Sequence, residues 1–162
     1  LEFCSTMVAL ILAGKIGSNI ASELGSMRIS DQIDAIEMMG VNSASFLVLP
    51  KVLSVTVLSP LLVLLSFYLG LLGGWVVVEM TSIIPTAKYL TGLKYCFSEY
   101  YVFYSCFKMA FFSFLISTIS AYKGFYASGG ALGVGRSSTK SIVISCILIL
   151  MFDLIITQLM LY

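Results

Sequence analysis

Four runs of the chain, residues 3–20, 52–78, 100–122 and 142–161, are apolar almost throughout. A helix needs about 20 mostly apolar residues to cross a bilayer, and each run meets or approaches that length. A surface built this way cannot face water. Charged residues make up 10% of the chain and apolar residues 59%, against about a quarter charged in a typical soluble domain. The reading is an all-α integral membrane protein with about four transmembrane helices.

The first run lies at the start of the chain, which opens Leu1-Glu2-Phe3-Cys4 without initiator methionine or signal peptide. The chain therefore reads as an N-terminally truncated piece. The second run is long enough to tilt or overshoot the bilayer. Tyr89, Tyr95, Tyr100 and Tyr101 cluster before the third, as an interfacial aromatic belt does. The first and third loops share a side and hold or border Lys15, Arg28, Lys51, Lys123, Arg136 and Lys140, whereas the second loop has only Lys88 and Lys94. By the positive-inside rule the first and third loops are cytoplasmic.

Other classes fall away. Net charge is +1 and the basic residues are scattered, with no polybasic arm to suggest nucleic acid or anionic headgroups. Histidine is absent, which removes the commonest general base and metal ligand. Cys4, Cys96, Cys106 and Cys146 show no C-x-x-C spacing and read as small hydrophobes, so no metal site is expected. Gly130-x-x-x-x-Gly135-Arg136-Ser137 misses the phosphate-binding loop pattern by one residue. That loop needs lysine where Arg136 stands, and a preceding strand rather than a membrane span. The glycines from Gly124 to Gly135 read instead as a tight cytoplasmic turn.

Small residues recur every four positions at the end of the first run: Ala13, Gly17, Ala21 and Gly25, and beside them Gly14, Ser18, Ser22 and Ser26. Two such ridges let another helix backbone approach closely in lipid; Gly70 and Gly74 repeat the pattern in the second run. Residues 30–40 differ in kind. Ile29, Ile33, Ile36 and Met38 or Met39 recur at helical spacing, while Asp31, Gln32, Asp34 and Glu37 are polar. Asp31 and Asp34 fall in the first turn, where negative charge suits the helix dipole, and Gly40 stands where a helix stops. This is a short amphipathic helix, lying on the membrane surface or docking a cytoplasmic partner.

Two charges lie deep in apolar sequence, Lys108 in the third run and Asp153 in the fourth. Burying either costs a few kcal/mol, so such residues face a cavity or each other. Each is roughly 12 Å in from the same membrane surface by helical rise, which permits a direct pair; the alternatives are separate contacts with a polar, water-filled cavity or a purely structural role.

Three stretches carry a resemblance: Ala13-Gly14-Lys15-Ile16-Gly17-Ser18 with Ala21-Ser22-Glu23-Leu24-Gly25-Ser26-Met27-Arg28; Asp31-Gln32-Ile33-Asp34-Ala35-Ile36-Glu37-Met38-Met39-Gly40-Val41; and Tyr122-Lys123-Gly124 through Ala127-Ser128-Gly129-Gly130-Ala131, Gly133-Val134-Gly135-Arg136-Ser137-Ser138-Thr139-Lys140. In order and separation they resemble MlaE-type permeases, so residues 1–162 read as one such domain. The resemblance implies the membrane subunit of an ABC transporter that moves phospholipids or related lipids between membranes and maintains outer-membrane asymmetry. It implies a second permease copy, cytoplasmic ATPase subunits that use ATP and magnesium, and a periplasmic MCE-domain lipid-binding protein. The location implied is the bacterial inner membrane or the chloroplast inner envelope. The subunit itself would be no enzyme and bind no cofactor or nucleic acid.

Residues 23–40 would be the coupling segment, with Glu23, Arg28, Asp31, Gln32, Ile33, Asp34, Ile36, Glu37, Met38 and Met39 meeting the ATPase. Gly129, Gly130, Gly135 and Arg136 would form the matching cytoplasmic loop. The resemblance implies a lipid cavity lined by Glu2, Lys108, Asp153 and Tyr101, in which Glu2 matches a family glutamate of the cavity, Lys108 an intramembrane lysine and Asp153 an aspartate of the last span. The chain departs from the family pattern at Leu1, where arginine is usual, at Cys4-Ser5, where Gly-Pro is usual, and at Tyr101, where aspartate is frequent. These departures bear on headgroup preference. A rival reading is an ion-coupled secondary transporter with Lys108 and Asp153 as proton relay; a third is a membrane scaffold, for which the small-residue face alone suffices.

Overall fold

The computed structural model describes residues 2–81 and 85–161, leaving aside the side chains of Glu2, Thr86, Cys96 and Leu161. Helix α1 (Glu2–Leu12) passes through a π-helical turn (Ala13–Gly17) into α2 (Ser18–Ile29). A short helix α3 (Gln32–Met38) follows; a second π-helical turn (Ala44–Val48) then leads into α4 (Leu49–Thr81). Helices α5 (Thr86–Cys96), α6 (Glu99–Phe125) and α7 (Gly130–Leu161) complete the chain. No strand occurs among the described residues. Among the described residues, four helical stretches are long and apolar enough to cross a membrane: Phe3–Ile29, Ala44–Thr81, Glu99–Phe125 and Gly130–Met160. Each outruns its apolar sequence run at one or both ends, because helix continues past the bilayer core where hydropathy falls. At 1.5 Å per residue the 38-residue second span is nearly twice as long as a hydrocarbon core of about 30 Å is thick.

Helix α6 sits at the centre, packed by α1 and α2, α4 and α7. Met109, Phe112 and Ile116 of α6 form a buried cluster with Ala9, Leu12, Ala13, Val63 and Ile149. A smaller cluster joins Ile20, Leu24 and Ala121. Between these apolar groups lie buried serines: Ser105, Ser113, Ser117 and Ser120 on α6, Ser141 and Ser145 on α7, and Ser59 on α4. Small hydroxylated residues suit helix interfaces in lipid, since they allow close approach and can bond their own helix; Ser117 Oγ donates to the Ser113 carbonyl at 2.8 Å. The outer faces are the reverse of a soluble protein's. Leu53, Val57, Leu61, Leu65 and Leu69 of α4 are all more than half exposed, a stripe that belongs in hydrocarbon.

Pro60 lies inside α4 and cannot donate to the Thr56 carbonyl one turn back. Ser59 Oγ does so instead, at 3.1 Å, and also meets Ser113 Oγ at 2.7 Å. Ser59→Ala should therefore lower stability by about 1 kcal/mol, measured as a shift in the unfolding midpoint in mixed detergent micelles. An unchanged midpoint would mean that the freed carbonyl is satisfied by other means.

The first ridge packs as its spacing predicts. Ala13, Gly17, Ala21 and Gly25 are all buried, with Gly17 against Ser120 and Ile116, and Gly25 against Val134 and Ala127. The second ridge is at most half-buried, and Gly14 faces open space. In the second span, Gly70 also faces open space, while Gly74 receives the Tyr89 hydroxyl of α5 rather than another span. The glycine run needs a larger correction. Gly124 belongs to α6, and Gly130, Gly133 and Gly135 belong to α7. The turn itself is only four residues long, 126–129. The positive φ angles there fall on Gly129 (95°) and Gly130 (69°), values that glycine adopts without strain. Gly124 instead serves close packing against Ala21 and Leu24 of α2, while Gly135 lies in α7 with open space around it.

The second loop is more than a loop. Helix α5 folds back onto α4, and Tyr89 donates its hydroxyl to the Leu71 carbonyl at 3.2 Å. Tyr89 thus leaves the expected aromatic belt for a packing role, while Tyr95, Tyr100 and Tyr101 remain exposed. At the same end, the Tyr100 hydroxyl donates to the Met160 carbonyl at 3.1 Å. At the other end, Ser138 Oγ of α7 donates to the Ser18 carbonyl at 3.2 Å. The α3 segment and the 126–129 turn therefore share one end of the bundle, and α5 marks the opposite one.

Candidate functional site

The deepest polar cluster forms where α1, α6 and α7 meet. Helix α6 carries Tyr104, Lys108 and Phe112 at four-residue steps, and α7 carries Asp153 and Thr157 one turn apart, so each set shares a face. Lys108 Nζ lies 2.7 Å from Asp153 Oδ1, with Lys108 fully buried and the Asp153 side chain 26% exposed. Of the two arrangements left open by the sequence, the direct pair is the one formed. Lys108 Nζ also donates to Thr157 Oγ1 at 3.1 Å, and Thr6 Oγ1 donates to Asp153 Oδ1 at 2.9 Å. The Tyr104 hydroxyl meets Thr157 Oγ1 at 3.1 Å. The ammonium stands 5.4 Å from the Tyr104 ring centre and 6.0 Å from that of Phe112, near enough for cation–π attraction.

A buried ammonium matched by a carboxylate, a hydroxyl and two ring faces is neutral overall, which makes its place in the span tolerable. Asp153 is the member with access to the outside. Tyr101 is 40% exposed, and its carbonyl accepts from Ser105 Oγ at 2.8 Å; no contact joins it to the pair among the described residues. Leu1 and the Glu2 side chain lie outside the described residues. Cys4, Cys106 and Cys146 are free thiols, and the Cys96 side chain lies outside the described ones. Sequence reasoning missed Thr6, Tyr104 and Thr157. Their four-residue spacing from Lys108 and Asp153 on α6 and α7 is the signal that could have found two of them.

The second cluster surrounds α3. Asp31 precedes the helix with a positive φ of 56° and Gly40 follows it with 78°, so the segment is bounded by two left-handed residues. Asp31 thus stands just before the helix and Asp34 alone lies in its first turn. Arg28 pairs with Asp34 at 2.5 Å and Lys51 with Glu23 at 2.6 Å, while Ser43 Oγ donates to Glu37 Oε1 at 2.6 Å. The first and third of these tie α3 to α2 and to Ser43 just before the second span, while the Lys51–Glu23 pair joins α2 to α4; Ser43 and Lys51 are partners the sequence did not suggest. Gln32 and Asp31 are exposed and Ile36 is half-buried.

The apolar residues of α3 do not share one face. Ile33 is fully buried as the anchor, whereas Met38 is 90% exposed and Met39 72%. Gly129, Gly130, Gly135 and Arg136 lie at the same end of the bundle, at or near the start of α7, and Gly135 has open space around it.

These features define a polytopic α-helical membrane protein with a buried charge pair and a polar segment, anchored by Ile33, between its first two spans. The chain belongs to the MlaE permease family: the family model described as Permease MlaE matches residues 1–159. It is 37% identical over 158 residues to a probable ABC transporter permease protein of Rickettsia bellii, covering 98% of this chain and 61% of that one. It is 31% identical over 159 residues to a probable ABC transporter permease protein of Synechocystis, covering 98% and 60%. The Arabidopsis thaliana chloroplast protein trigalactosyldiacylglycerol 1 is 27% identical over 157 residues, covering 97% and 45%. The chain thus spans about 60% or less of the length of these relatives. It is an integral membrane protein and a permease by family.

Proposed function

We propose that this chain forms most of the membrane subunit of an ABC transporter that moves phospholipids or related lipids between membranes, acting as a pair of copies. Hydrolysis of ATP belongs to separate cytoplasmic subunits that dock on α3, and a periplasmic MCE-domain protein is the expected lipid carrier. The side bearing α3 and the 126–129 turn is cytoplasmic, and the membrane is the bacterial inner membrane or its chloroplast counterpart. A lipid would lie against apolar side chains with its headgroup near Glu2 and the Lys108–Asp153 pair, which supplies charge without breaking any bond. Lipid as substrate draws support from the chloroplast relative, whose name is that of a glycolipid.

The observation that carries docking is the pair Met38 and Met39, exposed on a segment fixed by Ile33 and two polar contacts. Flexible, polarisable methionines suit a protein contact. Ile33→Asp would strike the anchor rather than the docking face, so Met38→Asp with Met39→Asp is the cleaner variant. Co-purification of the full-length protein from membranes should bring down an ATPase with the parent and lose at least tenfold of it with the double variant. A folded parent that captures no ATPase would sink the proposal. Transport driven by a proton gradient would then point to the secondary-transporter reading, which the Lys108–Asp153 pair also suits.

A further inference from the structure

Lys123, Arg136 and Lys140 are scattered in sequence, but the α6–α7 hairpin gathers them around one cavity of about 470 Å³. Ser128 and Ser137 line the same cavity, as does Tyr126. No carboxylate lines it, and residues 100–152 contain none. Among the described residues, the cations Arg28, Lys51 and Lys108 each have a carboxylate partner, whereas these three are in no ion pair. The positive-inside rule accounts for basic residues at this end of the bundle. It does not account for their convergence on one concave, hydroxyl-bearing site.

We infer that this cavity binds the phosphate of an anionic phospholipid in the adjoining leaflet, as a fixed contact and not as transported cargo. Three cations with hydroxyl donors match a phosphate oxyanion. The surroundings match a lipid rather than a soluble anion: Lys140 stands two residues before the apolar run that begins at Ile142, and Tyr122, Tyr126 and Leu132 are 60%, 69% and 70% exposed beside the cavity. Exposed tyrosines and an exposed leucine are the furniture of the headgroup layer, and basic pockets at this depth take lipid phosphates. The inference rests on membrane embedding alone and is independent of what the protein transports.

The test uses the full-length protein in neutral detergent, with native mass spectrometry counting retained lipid as dioleoyl-phosphatidylglycerol is titrated against dioleoyl-phosphatidylcholine. The parent should prefer phosphatidylglycerol. Neutralising each cation should cost about fivefold, so Arg136→Gln is read first, and Lys123→Gln/Arg136→Gln/Lys140→Gln should lose on the order of 100-fold. Lys88→Gln/Lys94→Gln, at the opposite end, should retain the parent's preference. The inference fails if the triple variant binds like the parent, if phosphatidylcholine is held equally, or if the opposite-end variant loses as much. Displacement by millimolar inorganic phosphate would reassign the cavity to a free anion. Unchanged lipid retention with loss of a co-purifying ATPase would reassign it to a protein contact.

Discussion

Asp153→Leu alone should destabilise the folded protein more than Lys108→Met alone, and the two together should cost less than either. The asymmetry follows from burial. Lys108 is fully enclosed, so without Asp153 its ammonium keeps, among the described residues, one hydroxyl and two ring faces. Removing one partner of a buried pair costs about 3–5 kcal/mol, because the charge left behind has no counter-charge. Without Lys108, the Asp153 carboxylate retains its bond from Thr6 and part of its exposure, and the loss should be nearer 1–2 kcal/mol. The double variant replaces both charges with apolar groups, an exchange that is often neutral or stabilising.

A double-mutant cycle of unfolding in mixed micelles measures all four corners. Equal, small losses at both single sites would show that the pair contributes nothing to the folded state. If the double variant is stable but the proposed transport is lost, the charges are retained for the substrate path rather than for the fold. A stable and fully active double variant would remove the pair from both the lipid reading and the proton-relay rival.

How much of this was legible beforehand depends on whether the cause was local. The four spans follow from apolar length, and the Lys108–Asp153 pair was open to a depth argument, since both residues lie equally far from one surface. The stop at Gly40 followed from its neighbours. What the chain does in three dimensions with residues of mixed character was less readable. Helix α5 has no apolar run long enough to announce it, and is held by one tyrosine reaching a backbone carbonyl of α4. Ile33 and Met39 are equally apolar and stand in one periodic pattern, yet one is buried and the other exposed, because α3 ends at Met38 and Met39 lies beyond the helix that turns Ile33 inward. Lys123, Arg136 and Lys140 read as scattered because only the helical hairpin brings positions 13 and 4 residues apart onto one cavity. The glycine run was recognised as a turn, which holds for Gly129 and Gly130 but not for Gly124, which lets two helices touch; a glycine-rich stretch looks alike in either task.

Gly124 makes that last distinction testable. A methyl group added there would sit 2.7 Å from the Ala21 carbonyl oxygen and 3.0 Å from both Ala21 Cα and Leu24 Cβ. Two of those three atoms are backbone, so no side-chain rotation relieves the clash, and α2 and α6 must move apart along their shared interface. Overpacking of a close-packed core costs about 1–3 kcal/mol, and Gly124→Ala should fall in that range. Gly124→Leu should exceed it and abolish recovery of folded protein from membranes. Gly14→Ala is the matched control, since its position lies in the same bundle with nothing within 4 Å; exchanging glycine for alanine in a helix should leave stability unchanged or raise it by up to about 1 kcal/mol. Unfolding midpoints of the two alanine variants, measured side by side, decide the matter. Equal midpoints would mean that the first-span ridge does not seat on α6 as described, and would shift the weight of packing to the serines and the apolar clusters around Phe112.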